Sequence, residues 1–166
     1  MAENEKIRTI TSFTIDHDKL MPGFYISRID GDITTYDLRT RRPNMGDYMD
    51  NLTMHSVEHM FATYARNMEL SDDVIYFGPM GCQTGFYFLM KNQTPEAVFS
   101  YVKRILKAII AYEGPVFGAV RRECGNYRDL NLEAAQIEAQ PDRGARPGLH
   151  LHEQVAQVHR AVGSRL

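Results

Sequence analysis

Phe24-Tyr25-Ile26-Ser27-Arg28-Ile29, then Asp30-Gly31-Asp32, then Ile33-Thr34-Thr35-Tyr36-Asp37-Leu38-Arg39 is the stretch whose reading decides the class of fold. Two runs rich in β-branched and aromatic residues flank Asp-Gly, which suits the positive φ values of a two-residue hairpin turn, so the runs are expected to pair antiparallel. Downstream, Val74-Ile75-Tyr76-Phe77 and Phe86-Tyr87-Phe88-Leu89 read as strands around the loop Gly78-Pro79-Met80-Gly81-Cys82-Gln83-Thr84-Gly85. Between the hairpins, Met54, Val57, Met60, Phe61, Tyr64 and Met68 recur at three- and four-residue intervals. That spacing predicts a helix over 53–68, with Asn51 or Thr53 available as N-cap. Thr94-Pro95 opens a second helix, lined by Val98, Phe99, Val102, Ile105, Leu106, Ile109 and Ile110 and stopped by Gly114-Pro115. Alternation in Ile10–Ile15 and the run Val116–Val120 read as further strands, and a short helix is expected from about Leu132. Hairpins interrupted by amphipathic helices make this an α+β chain, an antiparallel sheet packed against helices.

The 166 residues suit one domain, placed at 1–140. Pro141, Gly144, Pro147 and Gly148 break regular structure, so 141–166 is read as a divergent tail outside the core, with at most a short helix near Val155–Val162. Nineteen Lys+Arg against 21 Asp+Glu leave a net charge of −2, which offers no basic surface for nucleic acid. The N-terminus is polar and no apolar run approaches ~18 residues, so the expectation is a soluble, cytoplasmic protein with no membrane partner. Two cysteines are too few for a disulfide framework.

His55-Ser56-Val57-Glu58-His59 lies on the first helix, where residues at i and i+4 project from one face and can clasp one ion. Outside the tail, the soft or imidazole side chains left for a third ligand are His17, Cys82 and Cys124. Cys124 follows the run read as a strand, and Cys82 sits in a glycine-rich loop shaped to present a side chain and nearby amides. Each could equally be a small packed hydrophobe. Taken together, the two histidines and two cysteines favour a His₂Cys site with an open coordination position, which is more often catalytic than structural.

Three blocks, His55-Ser56-Val57-Glu58-His59, Gly78-Pro79-Met80-Gly81-Cys82-Gln83-Thr84-Gly85-Phe86-Tyr87 and Glu123-Cys124-Gly125-Asn126-Tyr127-Arg128, resemble the signatures of the S-ribosylhomocysteine lyase (LuxS) family. Ser12-Phe13-Thr14-Ile15-Asp16-His17 and Tyr36-Asp37-Leu38-Arg39 are similar to its substrate-contacting segments, and the likeness runs in order over about residues 10–139. The resemblance implies metal ligands His55, His59 and Cys124, acid–base groups Cys82 and Glu58, and substrate contacts Ser12, His17 and Arg39. It also implies one Fe²⁺ (or Zn²⁺) per subunit and a homodimer with active sites at the subunit interface. Phe86, Tyr87 and Phe88 are read as part of the partner surface. The implied reaction cleaves S-ribosylhomocysteine to homocysteine and 4,5-dihydroxy-2,3-pentanedione, the autoinducer-2 precursor of quorum sensing. Tyr76 stands where many members carry an acidic residue, and Leu130 where many carry histidine.

A thiolate leaves poorly from an unactivated carbon, and the resemblance implies a route that moves the sugar carbonyl until the sulfur lies β to it, with a Lewis acid and bases beside the sugar. His₂Cys donors suit Fe²⁺ or Zn²⁺ better than Mg²⁺ or Ca²⁺. Two other readings remain open on the residues alone. His-x-x-Glu-His is also the inverted zinc-peptidase motif, which takes a third carboxylate ligand. A metal-stabilised binding module would close the site with Cys82 as fourth ligand.

Overall fold

The computed structural model describes residues 9–141 and 156–157. Its sheet begins with the hairpin anticipated above, β1 (Gly23–Asp30) and β2 (Ile33–Arg39), paired antiparallel from Asp30↔Ile33 to Gly23↔Arg39. The turn is Gly31-Asp32 rather than Asp-Gly: Gly31 has φ +62°, the positive value required of the first central residue of a tight hairpin turn. The second hairpin, β3 (Val74–Pro79) with β4 (Gly85–Lys91), joins β2 through β4, also antiparallel. The strand order is β3-β4-β2-β1, with the two-residue β5 (Ala156–Gln157) parallel to β1 at Tyr25 and Ile26. The architecture is therefore α+β.

Among the described residues, three α-helices accompany the sheet: α1 (Asn51–Ala65), α2 (Pro95–Ala111) and α3 (Leu132–Ala139). The cap of α1 is Asp50, one residue before Asn51 and three before Thr53, the two expected. Its side chain accepts from Thr53 N at 2.7 Å, satisfying a backbone donor that the first turn leaves unpaired. The helix ends at Ala65, so Met68 falls in the following turn. Thr94 caps α2 as anticipated, accepting from Ala97 N at 3.2 Å, with Pro95 behind it.

Side chains alternate across each strand, and that alternation decides what lies on each face. Phe24, Tyr36, Leu38, Phe86, Phe88 and Met90 meet Val57, Met60, Phe61, Val102 and Ile105 of the helices in one apolar core. Phe77 bridges its aromatic members, stacked on Phe61 at 3.9 Å and on Phe86 at 5.1 Å between ring centres. Phe86 and Phe88 are thus interior residues and not the partner surface expected of them. Asp37 and Arg39 point to the opposite side of β2 and are nevertheless buried. A second buried pair, Arg41 forked onto Glu138 at 2.6 and 2.8 Å, ties the end of the β1–β2 hairpin to α3.

Two expected strands are absent. Ile10–Ile15 contains a 3₁₀ turn, Thr11–Phe13, closed by Phe13 N donating to Ile10 O at 3.0 Å. Its alternation marks no buried face, since Ile10 and Phe13 both face solvent, Phe13 with 76% exposed. Val116–Val120 is a series of turns because Gly118 adopts φ +70°, which interrupts any extended run. Cys124 therefore follows turns and not a strand. Of the tail, the described residues are Pro141 and Ala156–Gln157. The latter pair is extended and not helical, and the rest of the expected helix near Val155–Val162 lies outside the described residues.

Candidate active site

On α1 the i, i+4 spacing brings the His55 and His59 rings edge to face, 4.7 Å between centres. The ring orientations are set from the back. His59 Nδ1 lies 2.8 Å from Phe117 O, and His55 Nδ1 lies 2.9 Å from Asp129 O. A carbonyl can only accept, so each Nδ1 carries a proton toward it, which leaves Nε2 as the ring atom turned toward Cys124. Gly118 permits this approach: a Cβ there would stand 3.2 Å from His59 Nδ1, on a backbone already in the left-handed region.

The third donor arrives on the segment between α2 and α3, which has no helix or strand of its own. Cys124 Sγ lies 3.4 Å from His55 Nε2, and ligand atoms of His55, His59 and Cys124 all fall within 4.8 Å of one another. Ser56, fully buried between the histidines, fastens the far end of that segment. Its hydroxyl donates to Leu52 O at 2.6 Å and accepts from Asn131 N at 2.8 Å. Two imidazoles held through Nδ1 and a sulfur gathered beside them are a donor set that fits a divalent ion of the Fe²⁺ or Zn²⁺ kind. Glu58 is half-buried on the same turn of α1.

The other expected residues gather elsewhere. A cavity of about 660 Å³ is lined by Ser12, His17, Arg39, Cys82, Thr84 and Tyr87, among others. His55, His59 and Cys124 are not among its walls. Cys82 is exposed at the tip of the β3–β4 turn, and the next residue, Gln83, is held at φ +63°, a strained value of the kind that collects at functional sites. Below the thiol lies a charged floor: Arg39 Nε and Nη2 donate to the two Asp37 carboxylate oxygens at 3.1 and 2.5 Å. Burial pushes the Asp37 carboxyl above its ordinary value, opposed by the Arg39 charge and more weakly by His17. Burial pulls hardest on Arg39, downward, but the Asp37 charge and hydrogen bond, with smaller help from Cys82 and Tyr87, together hold the guanidinium above its ordinary value. Arg39 reaches the cavity from this fork, with only 2% of its side chain exposed.

The structure thus brings together His55, His59 and Cys124 as one group, and Ser12, His17, Arg39 and Cys82 as another. Sequence reasoning missed Asp37 and Thr84. Asp37 carried a signal in its spacing, since it precedes Arg39 by two residues on one strand and so shares its face, whereas Thr84 lies in the turn before β4 and carried none. Cys82 is engaged with Thr84 and Arg39 in the cavity and is not in the His–His–Cys group, which argues against a closed four-ligand site. A sulfur as third donor likewise sets the site apart from the carboxylate-completed peptidase pattern.

Comparison with known proteins agrees with this geometry. The family model described as S-Ribosylhomocysteinase (LuxS) matches residues 10–143. A protein of Finegoldia magna is 46% identical over 133 residues, covering 77% of this chain and 85% of the relative. One from Borrelia garinii subsp. bavariensis is 41% identical over 139 residues, covering 80% and 88%. One from Clostridium beijerinckii is 42% identical over 136 residues, covering 78% and 86%. All three carry the name S-ribosylhomocysteine lyase. With a match running through both the His–His–Cys group and the Cys82 cavity, the chain belongs to the S-ribosylhomocysteinase (LuxS) family.

Proposed function

We propose that this protein is an S-ribosylhomocysteine lyase, producing L-homocysteine and 4,5-dihydroxy-2,3-pentanedione. The observation that carries the reading is the convergence of His55, His59 and Cys124, whose ligand atoms lie within 4.8 Å of one another. A divalent ion held there, Fe²⁺ or Zn²⁺, supplies Lewis acidity to an enolising sugar. Cys82 and Glu58 divide the proton transfers, Cys82 from its exposed turn and Glu58 from the helix turn that carries both histidines. Ser12 and His17 hold the substrate from one side of the cavity and Arg39 from its floor.

The same reading makes the protein a homodimer with active sites at the subunit interface. Its support is the separation within one subunit: the walls of the Cys82 cavity do not include the His–His–Cys group. Phe13 and Tyr48 on the cavity rim, and Tyr76 on the edge strand β3, are exposed apolar groups that a second copy would cover. Residues 1–140 act as the lyase domain, and 141–166 are dispensable for chemistry. Both thiols are free, which suits the reducing cytoplasm, and among the described residues no helix is long and apolar enough to cross a membrane. Tyr76 in place of an acidic contact alters how the substrate's polar end is met.

The decisive measurement is free thiol released when purified, Fe²⁺- or Zn²⁺-loaded protein is incubated with S-ribosylhomocysteine. Stoichiometric homocysteine is expected, and its absence from folded, metal-loaded protein would overturn the assignment. Sedimentation at micromolar concentration is expected to give twice the chain mass, and a monomer alone would refute the interface site.

A further inference from the structure

Beneath Cys82 lies a hydroxyl that the reading above does not use. Thr84 is buried at 2% exposure and sits between the guanidinium and the thiol. Arg39 Nη1 donates to Thr84 Oγ1 at 2.6 Å, and Thr84 Oγ1 lies 3.0 Å from Cys82 Sγ. The direct path from Arg39 Nη1 to that sulfur is longer, 3.8 Å. A guanidinium can only donate, so Thr84 Oγ1 accepts from it, while toward the sulfur either the hydroxyl or the thiol can donate. When Cys82 is a thiolate, the hydroxyl proton is the one hydrogen available to this contact. Thr84 is also fixed in place, because its carbonyl accepts from Thr40 N and Arg41 N, each at 3.0 Å.

We propose that Thr84 is the positioning residue through which the Arg39 charge reaches the Cys82 sulfur. The chain Asp37–Arg39–Thr84–Cys82 runs from a buried carboxylate to an exposed thiol in three contacts. Asp37 fixes the guanidinium plane, Arg39 polarises the hydroxyl, and the hydroxyl aims the sulfur and gives it a hydrogen bond when it carries charge. This deepens the reading in which Cys82 moves protons and rests on it.

The test compares two variants of the metal-loaded protein. Thr84→Val keeps the branched shape and removes the hydroxyl, and Thr84→Ser keeps the hydroxyl and removes the methyl. The first readout is the rate at which iodoacetamide alkylates Cys82 at pH 7, followed by mass spectrometry so that Cys124 is scored separately. Thr84→Val is expected to slow alkylation about tenfold, the scale of one hydrogen bond to a charged atom, and Thr84→Ser to restore it. In turnover, Thr84→Val lowers kcat by a similar factor with KM within about twofold. A folded Thr84→Val protein whose Cys82 alkylates at the parent rate would overturn the proposal. Should that variant not fold, the same reading on Thr84→Ala decides. Alkylation is measured without substrate, so it reports on Thr84 whatever Cys82 does in turnover. Thiol release by Cys82→Ala reports separately on the catalytic reading.

Discussion

The two cysteines sit on chain segments of opposite construction. Cys82 lies on a turn held by main-chain bonds: Met80 N to Gly85 O at 2.9 Å, Gln83 N to Met80 O at 3.0 Å and Met49 N to Gln83 O at 3.0 Å. Cys124 lies on a segment without strand or helix, which reaches α1 through side chains, the two histidine rings and the Ser56 hydroxyl. In the first region the functional side chain is a passenger on a finished scaffold. In the second, His55 and His59 are at once candidate ligands and fasteners of the segment that brings the third ligand. The difference teaches that substitutions will separate chemistry from structure on one side and will not on the other.

The largest expected effect tests the passenger. Cys82→Ala should lower thiol release by about 10²–10⁴, as removal of an acid–base group typically does, with unchanged metal content and melting temperature. A marked fall in melting temperature would break the comparison. Next comes the buried Arg41–Glu138 pair, which braces the strand end whose backbone N–H groups meet Thr84 O. Glu138→Ala takes the forked carboxylate from a buried guanidinium that keeps Asp47 at 3.5 Å, and should cost about 3 kcal/mol in urea unfolding, the low end for breaking a buried pair. A loss under 1 kcal/mol would show that the pair is not structural.

Ser56→Ala probes the fastened side. The backbone N–H of Asn131 then loses its acceptor, for a stability cost of about 1–3 kcal/mol. Co²⁺ affinity should weaken by roughly the 10–100-fold typical of groups that orient ligands. Equal Co²⁺ affinity and an unaltered Co²⁺ absorption spectrum would mean that the Cys124 segment needs no such tie. The smallest effect is Asp50→Ala, about 1 kcal/mol at neutral pH from the lost cap. The bond from Thr53 holds the Asp50 carboxyl below its ordinary value. Its contribution is therefore present above that ordinary value and fades as pH falls through the lowered one. The stability difference between parent and variant should close in acid, and a constant difference would refute the charged cap.

The elements that were legible in the sequence are those whose pattern has one physical cause. The stripe through Val98, Val102, Ile105 and Ile109 can only be a helix face, and it is. The sequence Ile10–Ile15 alternates just as convincingly, but alternation needs a neighbouring strand before it means a sheet, and none among the described residues pairs there. Gly118 shows the converse. Its left-handed backbone ends the expected strand and admits the His59 ring, a role that spacing alone does not announce. At the site, His55, His59 and Cys124 converge as the family resemblance implied. The Asp37–Arg39 fork and Thr84 stayed hidden because a buried charge pair on the far face of a strand reads, residue by residue, as an ordinary solvated one.

The ties around Cys124 also bear on chain entropy. A segment running from Tyr112 to Asn131 would be costly to close around an ion if it were free at both ends. Here Gln136 holds the carbonyl of Tyr112 at one end at 2.8 Å, Ser56 holds the amide of Asn131 at the other, and Phe117 O and Asp129 O are tied between them. The longest stretch between those ties, 118–128, is eleven residues and carries Cys124, and it is braced within itself by Cys124 N and Glu123 N donating to Val120 O at 3.1 and 3.0 Å. The centre is preorganised by the polypeptide, so metal uptake should proceed as the docking of an ion into a waiting set of ligands, with little change in far-ultraviolet circular dichroism.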